Sequence, residues 1–162
     1  MIRGVIRPAS LLLAACSVFS VLSAGPAAAQ PSVGLRGGAS VDPDQAFFGV
    51  HVETRPLIEH LTFRPNLELG VGDDLTLVAL NFEFAYWIPL ERTQWRLYLG
   101  GGPAINIYSF DEGPGRAGDT DVEGGFNILL GLQHRRGLFG ELKVGAMDSP
   151  DLKFTIGYVF GR

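Results

Sequence analysis

Beyond residue 30, apolar and polar residues alternate along most of the chain, with a dominant period of two. Segments with this period run over residues 32–41, 47–54, 63–70, 76–87, 95–108, 122–133, 138–146 and 152–160. Between them lie turn-forming clusters such as Asp42-Pro43-Asp44, Gly72-Asp73-Asp74, Arg135-Arg136-Gly137 and Asp148-Ser149-Pro150-Asp151. Most segments are close to the ~9–11 residues of a membrane-spanning strand. Short strands at regular spacing, with no helical period, predict a sandwich or a barrel. Residues 55–62 carry the weakest pattern, and Pro56-Leu57-Ile58 reads as a turn or a short helical piece.

Each segment divides into two faces, because successive strand side chains point in opposite directions. One face is bulky and apolar, as in Val78, Leu80, Phe82, Phe84 and Tyr86, or Ile128, Leu130 and Leu132. The other is small, polar or charged. Its charged members are Arg36, Glu53, Arg55, Arg64, Glu68, Glu83, Arg96, Glu123, Glu141, Lys143 and Lys153. A soluble barrel or sandwich would turn the apolar face inward. A membrane barrel turns it outward, around a polar lumen.

Several features favour the inverted arrangement. The charged face is rich in glycine, which a narrow barrel needs on its inner wall and a water-facing strand does not. Aromatic residues gather near segment ends, at Tyr86, Trp87, Trp95, Tyr108, Phe110, Tyr158 and Phe160, like the interfacial girdles of membrane barrels. The last segment is apolar at every second position and ends in aromatics. The predicted fold is all-β, an eight-stranded antiparallel up-and-down transmembrane β-barrel.

The amino-terminal residues add a destination. Arg3 and Arg7 precede an uncharged apolar stretch over residues 11–22, and Ala27-Ala28-Ala29 forms a small-residue cleavage site before Gln30. Residues 1–29 are therefore expected to be a secretory signal cleaved after Ala29, and residues 30–162 the barrel domain. Leu13-Ala14-Ala15-Cys16 offers a competing route, a lipobox that would leave a lipid on Cys16. Cys16 is the only cysteine, so its removal leaves no disulfide, zinc or thiol chemistry.

The formal charge is −4, and the leader takes two of the 13 basic residues and none of the 17 acidic ones. With no basic stripe, nucleic acid is not an expected partner.

Positive and negative residues on the presumed inner face are nearly balanced. Buried charge is tolerable when paired and hydrogen-bonded, so the lumen is expected to be a plug of ion pairs. An open pore needs more strands. In the segment over residues 109–120 and just beyond it, Asp111, Glu112, Asp119 and Asp121 match no calcium-loop spacing, and neither a metal site nor a cofactor is expected. His51 and Glu53 share a face, but no serine lies near them in sequence to complete a nucleophile and base pair, and no catalytic residue is assigned.

The chain resembles the small outer-membrane β-barrel proteins of the OmpA and OmpX transmembrane-domain type. The residues carrying the resemblance are the signal ending Ala27-Ala28-Ala29-Gln30, the segment from Tyr98 through Gly100-Gly101-Gly102-Pro103 to Ile105, and the final segment from Lys153 to Phe160. The resemblance implies that Phe154, Ile156, Tyr158 and Phe160 act as the signal read by the barrel-assembly machinery. An aromatic last residue is usual in that family, whereas Gly161 and Arg162 follow Phe160 here.

The expected function is that of an integral protein of the bacterial outer membrane with a structural role in envelope integrity. Its partners would be outer-membrane lipids and, during biogenesis, the assembly machinery. Two alternatives accompany it: a soluble or lipid-anchored periplasmic barrel binding an apolar ligand, and a lipid-modifying outer-membrane enzyme.

Overall fold

The structure is a computed structural model and describes residues 31–73, 75–110 and 120–161. The leader with Cys16 and the expected cleavage point after Ala29 lies outside those residues, as do Asp111, Glu112 and Asp119. No helix occurs among the described residues.

The strands are β1 (Ser32–Val41), β2 (Gln45–Glu53), β3 (Pro56–Ile58), β4 (Leu61–Gly72), β5 (Leu75–Pro89), β6 (Trp95–Phe110), β7 (Thr120–His134), β8 (Leu138–Met147) and β9 (Leu152–Val159). All pairings are antiparallel between neighbours in sequence, save that β1 also pairs with β9 and β2 with β4. Those two pairings close the eight long strands into a barrel. Closure leaves no long sheet edge unpaired. The weak segment near Pro56 is strand β3, which continues the β2 edge of β4 after an irregularity in register. We call the end holding Ser32 and Val159 the lower end.

The apolar face is the outer one. Ile128 and Phe154 are 59% and 55% exposed, and Leu99, Ile105, Leu130, Leu142 and Ile156 stand out with them. Inside, Arg64 and Glu83 are both 0% exposed. A water-facing charged surface around an apolar interior therefore does not describe this chain.

The interior is layered. Near the lower end, Trp87, Tyr98, Ala85 and Leu129 pack together, with the rings of Trp87 and Tyr98 4.7 Å apart. Towards the upper end, Leu77 and Ala79 pack with Tyr108 and Leu75. Charged groups fill the space between.

Two residues expected in the aromatic girdle, Trp87 and Tyr108, thus point inward, because strict alternation continues to the strand ends and places them in phase with Glu83 and Asn106. The outward aromatics near the lower end are Tyr86, Trp95, Tyr158 and Phe160.

The β8–β9 connection folds into the upper mouth. Ser149 and Pro150 are buried there. The carbonyl oxygen of Asp148 accepts from Asn106 Nδ2 (2.6 Å) and from the Tyr108 hydroxyl (2.8 Å). Asp151 N–H donates to Asp42 O (3.3 Å), tying this cap to the β1–β2 turn.

Glycines on the inner wall make room for these large side chains. A β-carbon at Gly34, Gly131 or Gly157 would overlap the ring of His51, Tyr98 or Phe139, respectively. Gly100 and Gly102 serve differently from these. A β-carbon there would meet the carbonyl oxygens of Phe84 and Phe82, so these glycines allow close approach of the β5 backbone.

Gly131→Ala is expected to lower the unfolding free energy by ~1–3 kcal/mol through overpacking against Tyr98. Gly124→Ala, where a β-carbon meets nothing within 4 Å, should leave it unchanged. Urea midpoints of the two variants in the same detergent test this.

Candidate functional site

The functional candidate is the charged middle of the lumen, built from inward positions of β1 and of β4 to β9. Glu68 on β4 lies at its centre. Its Oε1 accepts from Arg36 Nη1 (3.0 Å) and Lys143 Nζ (2.9 Å), and its Oε2 from Lys153 Nζ (2.7 Å). Glu141 accepts from Arg64 Nη1 (3.1 Å) and from the Tyr98 hydroxyl (2.8 Å). Glu83 pairs with Lys143 at 2.7 Å and accepts from Asn66 Nδ2, also at 2.7 Å.

An amide ladder extends the network sideways. Asn127 Nδ2 donates to Asn81 Oδ1 (2.8 Å), and Asn81 Nδ2 donates to Asn66 Oδ1 (2.7 Å). Aromatic faces flank the cations: Arg64 lies over Tyr98 at 4.6 Å and Lys153 over Phe47 at 5.1 Å. Cations attract ring faces more strongly away from water.

These groups are shielded from solvent, so their attractions are little screened. Removing a charge from water is costly, and the geometry must supply partners for both signs. The lumen does so by sharing: one carboxylate meets three cations, and Lys143 touches Glu68, Glu83 and Glu141. Such an arrangement can seal a lumen and fix the strand register.

Of the residues assigned to the lumen from sequence, the structure brings Arg36, Arg64, Glu68, Glu83, Glu141, Lys143 and Lys153 together. Glu53 is buried at the lower end of β2. Arg96 is half-buried at the lower mouth, where its guanidinium lies 4.4 Å over Trp87 and donates to Gln133 Oε1 (3.5 Å).

Two assignments need correction. Arg55 is exposed, because β2 ends at Glu53 and the alternation stops there. Glu123 is exposed although its phase is inward, because β7 there rises past the packed interior. It borders a cleft of about 240 Å³ at the upper mouth, with Asp42, Pro43, Leu75, Tyr108, Phe110 and Asp121.

Sequence reasoning missed Tyr98, whose hydroxyl joins Glu141. The phase set by Arg96 and Gly100 places it inward. Phe139 was missed in the same way, being in phase with Glu141.

The histidines meet aromatic rings: His51 lies edge-on to Phe139 (5.2 Å), His60 to Tyr86 (6.0 Å) and His134 to Trp95 (5.0 Å). The Ser40 hydroxyl donates to Pro43 O (2.8 Å). Among the described residues, no group of three or more His, Cys, Asp or Glu is arranged to hold a metal ion. Phe154, Ile156 and Tyr158 point outward from β9, and Phe160 N–H donates to Val33 O (2.8 Å) just beyond it.

A closed eight-stranded antiparallel barrel with a charged interior and an apolar exterior is the class of fold that this geometry defines. Solved structures share it. The N-terminal β-barrel domain of Pseudomonas aeruginosa OprF matches with a TM-score of 0.60 at 13% identity, over 81% of this chain and 100% of that one. Neisserial surface protein A, NspA, matches with a TM-score of 0.64 at 13% identity, over 80% of this chain and 94% of that one. Both are outer-membrane β-barrels of the OmpA/OmpX type, and this chain has their fold. No protein-family model and no curated protein sequence matches the chain.

Glu68→Leu leaves the three buried cations without their shared carboxylate. It should lower the unfolding free energy by ~3–5 kcal/mol, read as the urea midpoint of tryptophan fluorescence. Glu59→Gln, at an exposed site, should shift it by less than ~0.5 kcal/mol.

Proposed function

We propose that this chain is an integral protein of the bacterial outer membrane, with a structural role in the envelope and no catalytic one. One observation carries the reading: the inversion of its two faces. Large apolar side chains stand exposed around the wall, from Leu35 (52%) on β1 to Ile156 (54%) on β9, while the charges are inside. A soluble monomer does not leave an apolar band of that extent in water. A bilayer accepts it, because its hydrocarbon core replaces water at that surface. The likeness to OprF and NspA supports the same location.

The lumen network supports a sealed barrel rather than a pore, since an ion crossing it would have to displace side chains that already hold one another. The contacts of the histidines and of Ser40 described above give no support to acyl transfer or hydrolysis. In this reading, residues 1–29 direct export and are cleaved after Ala29. Phe154, Ile156, Tyr158 and Phe160 are presented to the barrel-assembly machinery, and the outer wall is then taken up by outer-membrane lipids.

Ile128→Arg separates a lipid-facing wall from a water-facing one. In a bilayer it is expected to cost ~2–4 kcal/mol, seen as loss of the outer-membrane band whose gel mobility changes on boiling. On a water-facing surface the same change costs less than ~0.5 kcal/mol. A soluble, fully folded variant with no such band in the parent protein would sink the membrane reading.

A further inference from the structure

Summed over the described residues, the connections at the lower end carry net positive charge and those at the upper end net negative charge. Each lower connection holds an exposed arginine: Arg55 after β2, Arg92 between β5 and β6, and Arg135 with Arg136 between β7 and β8. Among the described residues, the upper connections hold Asp42, Asp44, Asp73, Asp148 and Asp151 and no lysine or arginine. Glu59 and Glu91 balance Arg55 and Arg92 within their own connections, so the net positive charge lies at Arg135 and Arg136. Arg135 N–H donates to Gln94 O (2.9 Å), which holds the connection carrying Arg92 beside the one carrying Arg135 and Arg136.

The height of these arginines is set by the aromatics beside them. Tyr86, Trp95, Tyr158 and Phe160 face outward at the lower end, where such rings mark the headgroup level of a bilayer. Trp95 and His134 meet 5.0 Å apart at the base of β6 and β7, next to Arg135. In the membrane reading above, this sets the guanidinium groups level with, or just beyond, lipid phosphates. A guanidinium binds phosphate through a two-pronged hydrogen bond that a zwitterionic headgroup's own cation weakens and an anionic headgroup leaves free.

We propose that the lower rim, through Arg92, Arg135 and Arg136, is a binding surface for anionic phospholipid headgroups. The barrel then gathers such lipids around itself in the leaflet on the side of its two outermost strand ends. This rests on the membrane reading above.

The test uses the full chain folded into vesicles of equal parts phosphatidylcholine and phosphatidylglycerol. Insertion is first verified by the boiling-dependent gel shift. The barrel is then excised with its lipid shell by an amphipathic copolymer, and the shell lipids are quantified. The parent protein should carry a shell severalfold enriched in phosphatidylglycerol. The Arg92→Gln, Arg135→Gln, Arg136→Gln variant should carry one at the bulk ratio. An Asp44→Asn, Asp73→Asn variant of the upper rim should match the parent. An inserted parent with a shell at the bulk ratio overturns the proposal and leaves the membrane reading standing, with a soluble polyanion as the remaining partner for the rim. Enrichment that survives in the triple arginine variant also overturns it. Failure to insert in any vesicle removes both readings together.

Discussion

Glu68 accepts hydrogen bonds from Arg36, Lys143 and Lys153, three cations brought from β1, β8 and β9 to a carboxylate on β4. Charges buried this deeply are stable only in one another's company, and that requirement reaches every other part of the molecule. It demands that β1 and β9 meet, since Arg36 and Lys153 stand on the two strands of the closing seam. It also demands an inner wall thin enough for long side chains to reach the axis, which the glycines provide. Aromatic and aliphatic layers then lie below and above the charges, at Trp87 and Tyr98 on one side and Leu77 and Tyr108 on the other. A slip of one residue in any strand would send its charged side chains out to the apolar face and its apolar ones in. The network therefore specifies register even if its net contribution to stability is small.

The alternation of residue types made the strands legible, and β1 spans the predicted residues 32–41 unchanged. Strands were underestimated at their ends, as with β5 reaching Pro89 and β6 reaching Phe110. There, residue type was read in place of phase. Trp87 and Tyr108 look like interfacial aromatics by composition, yet both continue the inward series of their strands. The opposite error put Arg55 and Glu123 in the lumen because of their charge. Neither is at the level where the barrel is packed, and height along the axis leaves no mark in a period of two.

The pairing within the lumen was less legible than its membership. Sequence named the seven residues that meet, but not which carboxylate takes which cation. That depends on how far the sheet coils, and on the β5 backbone lying close to Gly100 and Gly102. The Asn127-Asn81-Asn66 ladder passes across β6 at the level of Gly102 and Ala104, the residues paired with Asn127 and Asn81. Small residues on one strand there permit a bond between its two neighbours. A one-dimensional pattern holds no trace of contacts that skip a strand. The fold itself is shared with chains only 13% identical.

The β8–β9 connection is fastened by Asn106 and Tyr108, residues 42 and 40 positions upstream of Asp148. Across the connection itself, Gly145 N–H donates to Asp151 O (3.1 Å), and these two distant donors add the anchorage to β6. Until β6, β7 and β8 have paired and curled, the Asp148 carbonyl lacks both donors. The mouth is in that sense a keystone, set only once the arch of strands beneath it already stands.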